Sequence, residues 1–203
     1  MSAFGNKSEK SIVSYRGPKI ETRDYIIIGL FEALMAVCSW ISVPAAVPFT
    51  LQTFGVFLAV GLLGGKRGTI AICVYLLLGA IGIPVFSGFT GGLGHILGMT
   101  GGYIAGFVFS ALLMWALEKL LGSSYKVLVI SMVLGLIVCY AFGTAWFMIV
   151  YMRTSGPIGV GAALSMCVIP YIIPDLIKIS LASIMCMRLR PLVRNSNSVD
   201  TVQ

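Results

Sequence analysis

Long apolar runs with their charges pushed to the ends leave this chain few folds to choose from. Six such blocks can be drawn, at about 25–43, 51–64, 68–84, 102–121, 127–151 and 159–188. A helix needs roughly 20 apolar residues to cross the hydrocarbon core of a bilayer, and most of these blocks reach or approach that length. None shows the alternation of a barrel strand. Lipid offers no partner to an unpaired backbone group, so each crossing is expected to be a helix. Composition agrees: 58% of the 203 residues are apolar and only 10% are charged, where soluble domains carry about 25%. The expected fold is an all-α integral membrane protein.

Punctuation and charge give the order of the spans. Gly64-Gly65-Lys66-Arg67-Gly68 is a tight basic turn, 82–102 is a glycine-rich connection, and Gly156-Pro157 marks another turn. Pro170 and Pro174 interrupt the last block, which reads as a short leading helix followed by a final span of roughly 174–188. With six transmembrane helices, one side takes Lys7, Lys10, Arg16, Lys19, Arg23, Lys66, Arg67, Lys119, Lys126, Arg188, Arg190 and Arg194. The other side takes Arg153, and Lys178 lies within a span. Basic residues favour the cytoplasm, so both N- and C-termini are expected there. The expected division is a cytoplasmic N-terminal tail at 1–20, a six-helix membrane domain at 21–190 and a cytoplasmic C-terminal tail at 191–203.

The net charge of +7 is accounted for by these loop positions, which face anionic headgroups, so no nucleic acid is expected as a partner. Cys38, Cys73, Cys139, Cys167 and Cys186 all lie in apolar stretches without CxxC spacing. They read as small buried hydrophobes, not as a metal site. The first 24 residues lack the apolar core of a signal peptide. No HExxH, no GxSxG and no complete P-loop occurs, so neither catalytic residues nor an intrinsic ATPase is expected.

Charge within a span is costly and marks function by default. Asp175 and Lys178 stand three apart in Pro-Asp-Leu-Ile-Lys, on one helical face near the outer start of the last span. They form either a self-neutralising ion pair or the polar floor of an outward-opening pocket, and the second reading is favoured. Glu32 is expected to snorkel toward the inner interface or to pair with Arg23. His95, the only histidine, reads as a hydrogen-bonding loop residue. The low-charge connection between 84 and 102 is expected to fold back as a lid or pocket wall. Gly29 and Ala33 put small residues four apart on the first span, which serves equally for packing inside the bundle or for docking a partner.

The run Val47-Pro48-Phe49-Thr50-Leu51-Gln52-Thr53-Phe54 resembles the signature of the BioY family. The resemblance continues through Leu63-Gly64-Gly65-Lys66-Arg67-Gly68 and the stretch from Tyr75 to Phe86. It also takes in Gly91-Gly92, Gly98-Met99-Thr100-Gly101-Gly102-Tyr103 and Pro174-Asp175-Leu176-Ile177-Lys178. Together these blocks cover about 25–190, in the family's order and at its spacing.

BioY proteins are the biotin-binding S components of energy-coupling factor (ECF) vitamin transporters. The resemblance implies a six-helix protein of the cell membrane that captures biotin on the outer side. It also implies docking to a transmembrane coupling protein, EcfT, driven by two ABC-type ATPase subunits; biotin is then the cargo, and no cofactor is implied. Asp175 and Lys178 match the family's biotin-site pair, and Gln52, Gly91, Gly92, Gly101, Gly102 and Tyr103 match its pocket region. Gly29 and Ala33 are the nearest match to its docking pattern.

Two positions depart from the family. Thr90 stands where some members carry an arginine suited to the ligand carboxylate, which leaves backbone N–H groups, the Thr90 hydroxyl or His95 for that role. Met99 replaces a usual proline. The alternatives are an S component for another vitamin, such as lipoate or thiamine, and a stand-alone secondary transporter. The latter would call for a coupling carboxylate and an internal repeat, neither of which is evident.

Overall fold

The computed structural model describes residues 22–195 apart from position 46. The chain runs α1 (Thr22–Trp40), a two-residue hairpin of β1 (Ser42–Val43) and β2 (Phe49–Thr50), α2 (Gln52–Leu63) and α3 (Gly65–Ala80). It continues through the short α4 (Leu93–Leu97), then α5 (Gly101–Leu121), α6 (Tyr125–Thr154), α7 (Val160–Cys167), a 3₁₀ turn at Ile169–Tyr171, and α8 (Ile172–Asn195). Among the described residues, three helical stretches are long and apolar enough to cross a membrane: Gly101–Leu121, Tyr125–Thr154 and Val160–Arg190. Tyr25–Trp40 and Gln52–Leu63 are shorter apolar helices.

Local chemistry explains where these helices stop. Gly64 separates α2 from α3 at φ +79°, a left-handed conformation that glycine adopts without a Cβ penalty, so the chain reverses in a single residue. Ser124 caps α6 by accepting from the Val127 N–H at 3.4 Å. Pro174 lies in the first turn of α8, where a missing N–H costs nothing. The last helix therefore starts before that proline, at Ile172, two residues ahead of the start expected from sequence. The expected tails at 1–20 and 191–203 lie outside the described residues, except for 191–195, whose backbone continues α8.

The closest helix pair is α5 with α6, and small residues make the approach possible. An added Cβ on Gly106 would lie 3.1 Å from the Cys139 Cα, and one on Gly135 3.4 Å from the Ser110 Cβ. Ser110 fastens the pair, donating to the carbonyls of Gly106 and Gly135. The shared core comprises Met35, Val56, Phe57, Ile72, Tyr75, Phe86, Met132 and Cys186, all buried. Outward faces carry large apolar side chains, among them Ile26, Leu30, Ile81, Leu120 and Ile173. Such a surface suits lipid and not water.

The connection between α3 and α5 folds back on the bundle, as its composition leads one to expect. Phe86 is fully buried and meets the Tyr75 ring edge-on, over Gly79, where a Cβ would collide with the Phe86 ring. Trp40 of α1 donates through Nε1 to the Pro84 carbonyl at 2.8 Å and stacks on Phe89. The connection is thus tied to two helices. It closes over one end of the bundle, beside the starts of α2, α5 and α8.

Candidate functional site

Beneath this connection lies a recess walled by Val47, Thr50, Gln52 and Thr53 from the hairpin and α2, and by Ser87, His95 and Thr100 from the connection. Tyr103 and Phe107 of α5, Cys139 and Tyr140 of α6, and Tyr171, Asp175 and Lys178 complete it. The recess takes residues from segments more than 120 positions apart, so it exists only in the folded bundle.

Asp175 and Lys178 form its floor, each only 4% exposed, and their side chains meet at 2.8 Å. A buried charge is tolerated only when paired and hydrogen-bonded, and both are. Asp175 Oδ1 accepts from the Thr53 hydroxyl at 3.1 Å and Oδ2 from the Tyr140 phenol at 2.6 Å. Lys178 Nζ donates to the Thr50 carbonyl at 2.6 Å, to Asp175, and to Thr53 Oγ1 at 3.3 Å. It also lies 4.0 Å from the centre of the Phe49 ring, a favourable cation–π position.

Counting bonds shows what remains for a ligand. An ammonium has three donors, and Lys178 has three acceptors already. A carboxylate accepts at about four positions, and Asp175 uses three, so one lone pair on Oδ2 stays open. The Tyr140 phenol gives its only proton to Asp175 and keeps acceptor capacity. The floor therefore offers acceptors directly, and offers the ammonium in exchange for a bond to Thr50 or Thr53.

Other sequence candidates fall in two groups. Gln52 and Tyr103 are wall residues. Gln52 donates through Nε2 to the Tyr75 hydroxyl at 2.8 Å, which in turn donates to the Val85 carbonyl at 2.7 Å, tying α2 to α3 and the overlying connection. The Tyr103 hydroxyl lies 3.3 Å from both Thr144 Oγ1 and the Cys167 carbonyl. Thr90, Gly91, Gly92, Gly101 and Gly102 do not line the recess. Gly92 donates its N–H to the Gly79 carbonyl, and Gly91 lies tightly against the backbone at Gly82 and Ile83. Gly101 and Gly102 are buried beneath Ile96 and Trp146, leaving no room for a side chain. The Trp146 indole completes this contact by donating to the Gly98 carbonyl at 2.9 Å. These glycines shape the wall without forming it.

Thr90 acts through a neighbour. Its hydroxyl donates to the Ser87 carbonyl at 2.8 Å and lies 2.9 Å from His95 Nδ1. The His95 ring is stacked on Phe86 and reaches the recess. Burial pushes its imidazole below the ordinary histidine range.

Thr53, Tyr140, Thr100 and Tyr171 escaped the sequence reading as site residues. Tyr140, a phenol in the middle of an apolar block, was the one signal available. Gly29 and Ala33 are exposed on the face of α1 turned away from the bundle, and nothing lies within 4 Å of a Cβ built on Gly29. Packing within the bundle is therefore not their role.

Comparison with known proteins gives a consistent result. The BioY family model matches residues 9–195. The biotin transporter BioY of Thermotoga maritima is 40% identical over 171 residues, spanning 84% of this chain and 97% of that protein. A probable biotin transporter BioY from Pyrococcus horikoshii is 39% identical over 172 residues, 84% of this chain and 98% of that one. Among solved structures, the S-component for biotin from an ECF-type ABC transporter superposes with a TM-score of 0.74 at 28% identity, covering 83% of this chain and 91% of that chain.

Proposed function

This chain belongs to the BioY family, and from that premise we propose that it is the substrate-binding membrane subunit of an ECF transporter, capturing biotin for uptake. It is a transport protein and not an enzyme. The observation that carries the reading is the buried Asp175–Lys178 pair at the floor of the recess. Biotin's ureido ring presents two N–H donors and one carbonyl. Asp175 Oδ2 accepts from a ureido N–H through its open lone pair. Lys178 donates to the ureido oxygen by exchanging one of its present acceptors. Val47, Phe107 and Tyr171, the last backed by the Phe49 ring, supply the apolar enclosure usual for small-molecule sites.

The membrane domain, 21–190, crosses the plasma membrane six times, through α1, α2, α3, α5, α6 and the α7–α8 unit, with both termini cytoplasmic. Support comes from charge: Lys66, Arg67, Lys119, Lys126 and Arg188 lie at the ends of helices opposite the recess, and Arg153 lies at the other end. At 12 residues, α2 is about 18 Å long, too short to cross alone. The hairpin before it makes up the outer part of that crossing.

The recess then faces outward, and energy comes from EcfT and two ABC-type ATPases. The exposed stripe of Ile26, Gly29, Leu30 and Ala33 on α1 is the docking face. Replacing Gly29 and Ala33 together by leucine should block co-purification with the coupling protein while biotin binding stays intact; weakened biotin binding would argue against that face.

The deciding experiment is to purify the chain alone and titrate it with biotin, lipoate and thiamine. Tight binding of biotin only is the expected result. Binding of another vitamin in its place would overturn the assignment.

A further inference from the structure

The hydrogen-bond chain above the recess fixes the tautomer of its only imidazole. A carbonyl can only accept, so the Thr90 hydroxyl uses its single proton on the Ser87 oxygen. Thr90 Oγ1 must then accept from His95, which places a proton on Nδ1. In the neutral ring Nε2 is left as an acceptor. Nε2 is the nitrogen beside Thr100, itself a wall residue, at 3.5 Å from its hydroxyl. That distance is at the limit of a hydrogen bond, so the contact is readily displaced.

Apart from Lys178, whose exchangeable donor the proposed function gives to the ureido oxygen, the walls hold no permanent cation for a ligand carboxylate among the described residues. Lys178 has three acceptors already. The titratable groups facing the cavity with His95 are Tyr103, Cys139, Tyr140, Cys167, Tyr171, Asp175 and Lys178. Phenols and thiols ordinarily titrate above pH 8, and the Asp175–Lys178 pair offsets its own charge. His95 is the wall residue whose charge changes near neutrality, and partial burial, which lowers its pKa, favours the neutral imidazole before a ligand arrives.

We propose that His95 is the residue that recognises the ligand's carboxylate, and that it does so as an imidazolium, taking one proton from solvent at Nε2 as the ligand binds. Nδ1–H stays on Thr90, which aims the ring, and Nε2–H donates to the carboxylate oxygen. The hydroxyl at position 90 thus acts through the histidine and makes no ligand contact of its own. The inference rests on the biotin reading, because it needs a ligand with an anionic tail.

The sign of the pH dependence follows. Unliganded, His95 has a lowered pKa; beside a carboxylate its pKa rises. Between those two values binding takes up a proton, and affinity falls by up to about tenfold per pH unit as pH rises. Below the lower value affinity is flat. The ligand's own carboxyl titrates well below this window.

The test is calorimetric titration of the purified chain with biotin near pH 7, in buffers of low and high ionisation enthalpy. Uptake of roughly half to one proton per biotin is expected, with almost none for biotinamide, whose tail is neutral. His95→Gln should still bind biotin, about tenfold more weakly, with no proton uptake and a flat pH profile. Biotin binding without proton uptake overturns the proposal and leaves the biotin reading standing, as does equal uptake by His95→Gln. Absence of biotin binding overturns both.

Discussion

Both ends of this helical bundle hold charged side chains by hydrogen bonds, fully buried at the recess and half-buried at the other end, and they satisfy them in different ways. At the recess, Asp175 and Lys178 are bonded to each other and to hydroxyls, a phenol and one carbonyl. At the opposite end, Glu118 accepts from the Gly65 N–H at 2.6 Å. Arg190 there donates to the Gly61 and Ser123 carbonyls at 2.6 and 3.2 Å. That end uses ions to close helix termini, where unsatisfied N–H and C=O groups collect. Its partners are backbone groups that have nowhere else to go, so it acts as a fastening. The recess uses side-chain partners that a ligand can replace, so it acts as a site. A hydrogen-bonded charge alone does not mark a site; its depth and the identity of its partners do.

That contrast is testable from its largest expected effect downward. Asp175→Asn removes the charge that offsets Lys178 and should weaken biotin binding on the order of 100-fold by titration. If binding barely changed, the floor would be a fastening like the far end. Glu118→Ala strands the Gly65 N–H and should cost about 2 kcal/mol of stability in a thermal melt in detergent. Biotin affinity should stay within about twofold; a large loss would mean that the two ends are coupled. Tyr140→Phe deletes one donor to Asp175 and should weaken biotin roughly five- to tenfold with little change in melting. A melt that moved as much as for Glu118→Ala would make Tyr140 a structural tie.

The sequence made one half of this contrast visible. Asp175 and Lys178 stood out because charge is rare in an apolar block and three residues is a helical neighbour spacing. Five blocks separated by glycine, proline and basic turns gave their helices to within a few residues, because those boundaries are set locally. The last helix runs to Asn195, seven residues past the apolar block, since Arg188, Arg190 and Arg194 favour a helix as well as apolar residues do. Glu118 and Arg190 did not stand out, since charge near a block end is what the interface tolerates. Thr53 and Tyr140 were hidden for another reason. Their bonds to Asp175 join positions 122 and 35 residues apart, and only packing of α2, α6 and α8 brings them together. The motif glycines were legible as a pattern but not in what they pack against: a side chain at position 102 would collide with Trp146, 44 residues further along the chain.

Trp40 has a consequence beyond holding the connection in place. Its indole clasps Pro84 and Phe89 from the end of α1, the same helix whose outward stripe carries Gly29 and Ala33. One helix thus has the cover of the recess at its tip and, along its side, the exposed stripe proposed above as a docking face. Any partner that tilts α1 works against the clasp, and any ligand that tightens the cover steadies the helix. Under the function proposed above, linkage would make the two effects equal in size: the factor by which biotin alters affinity for the coupling protein would be the factor by which that protein alters affinity for biotin. A single tryptophan thus joins the cover of the recess to the exposed small-residue stripe through one helix.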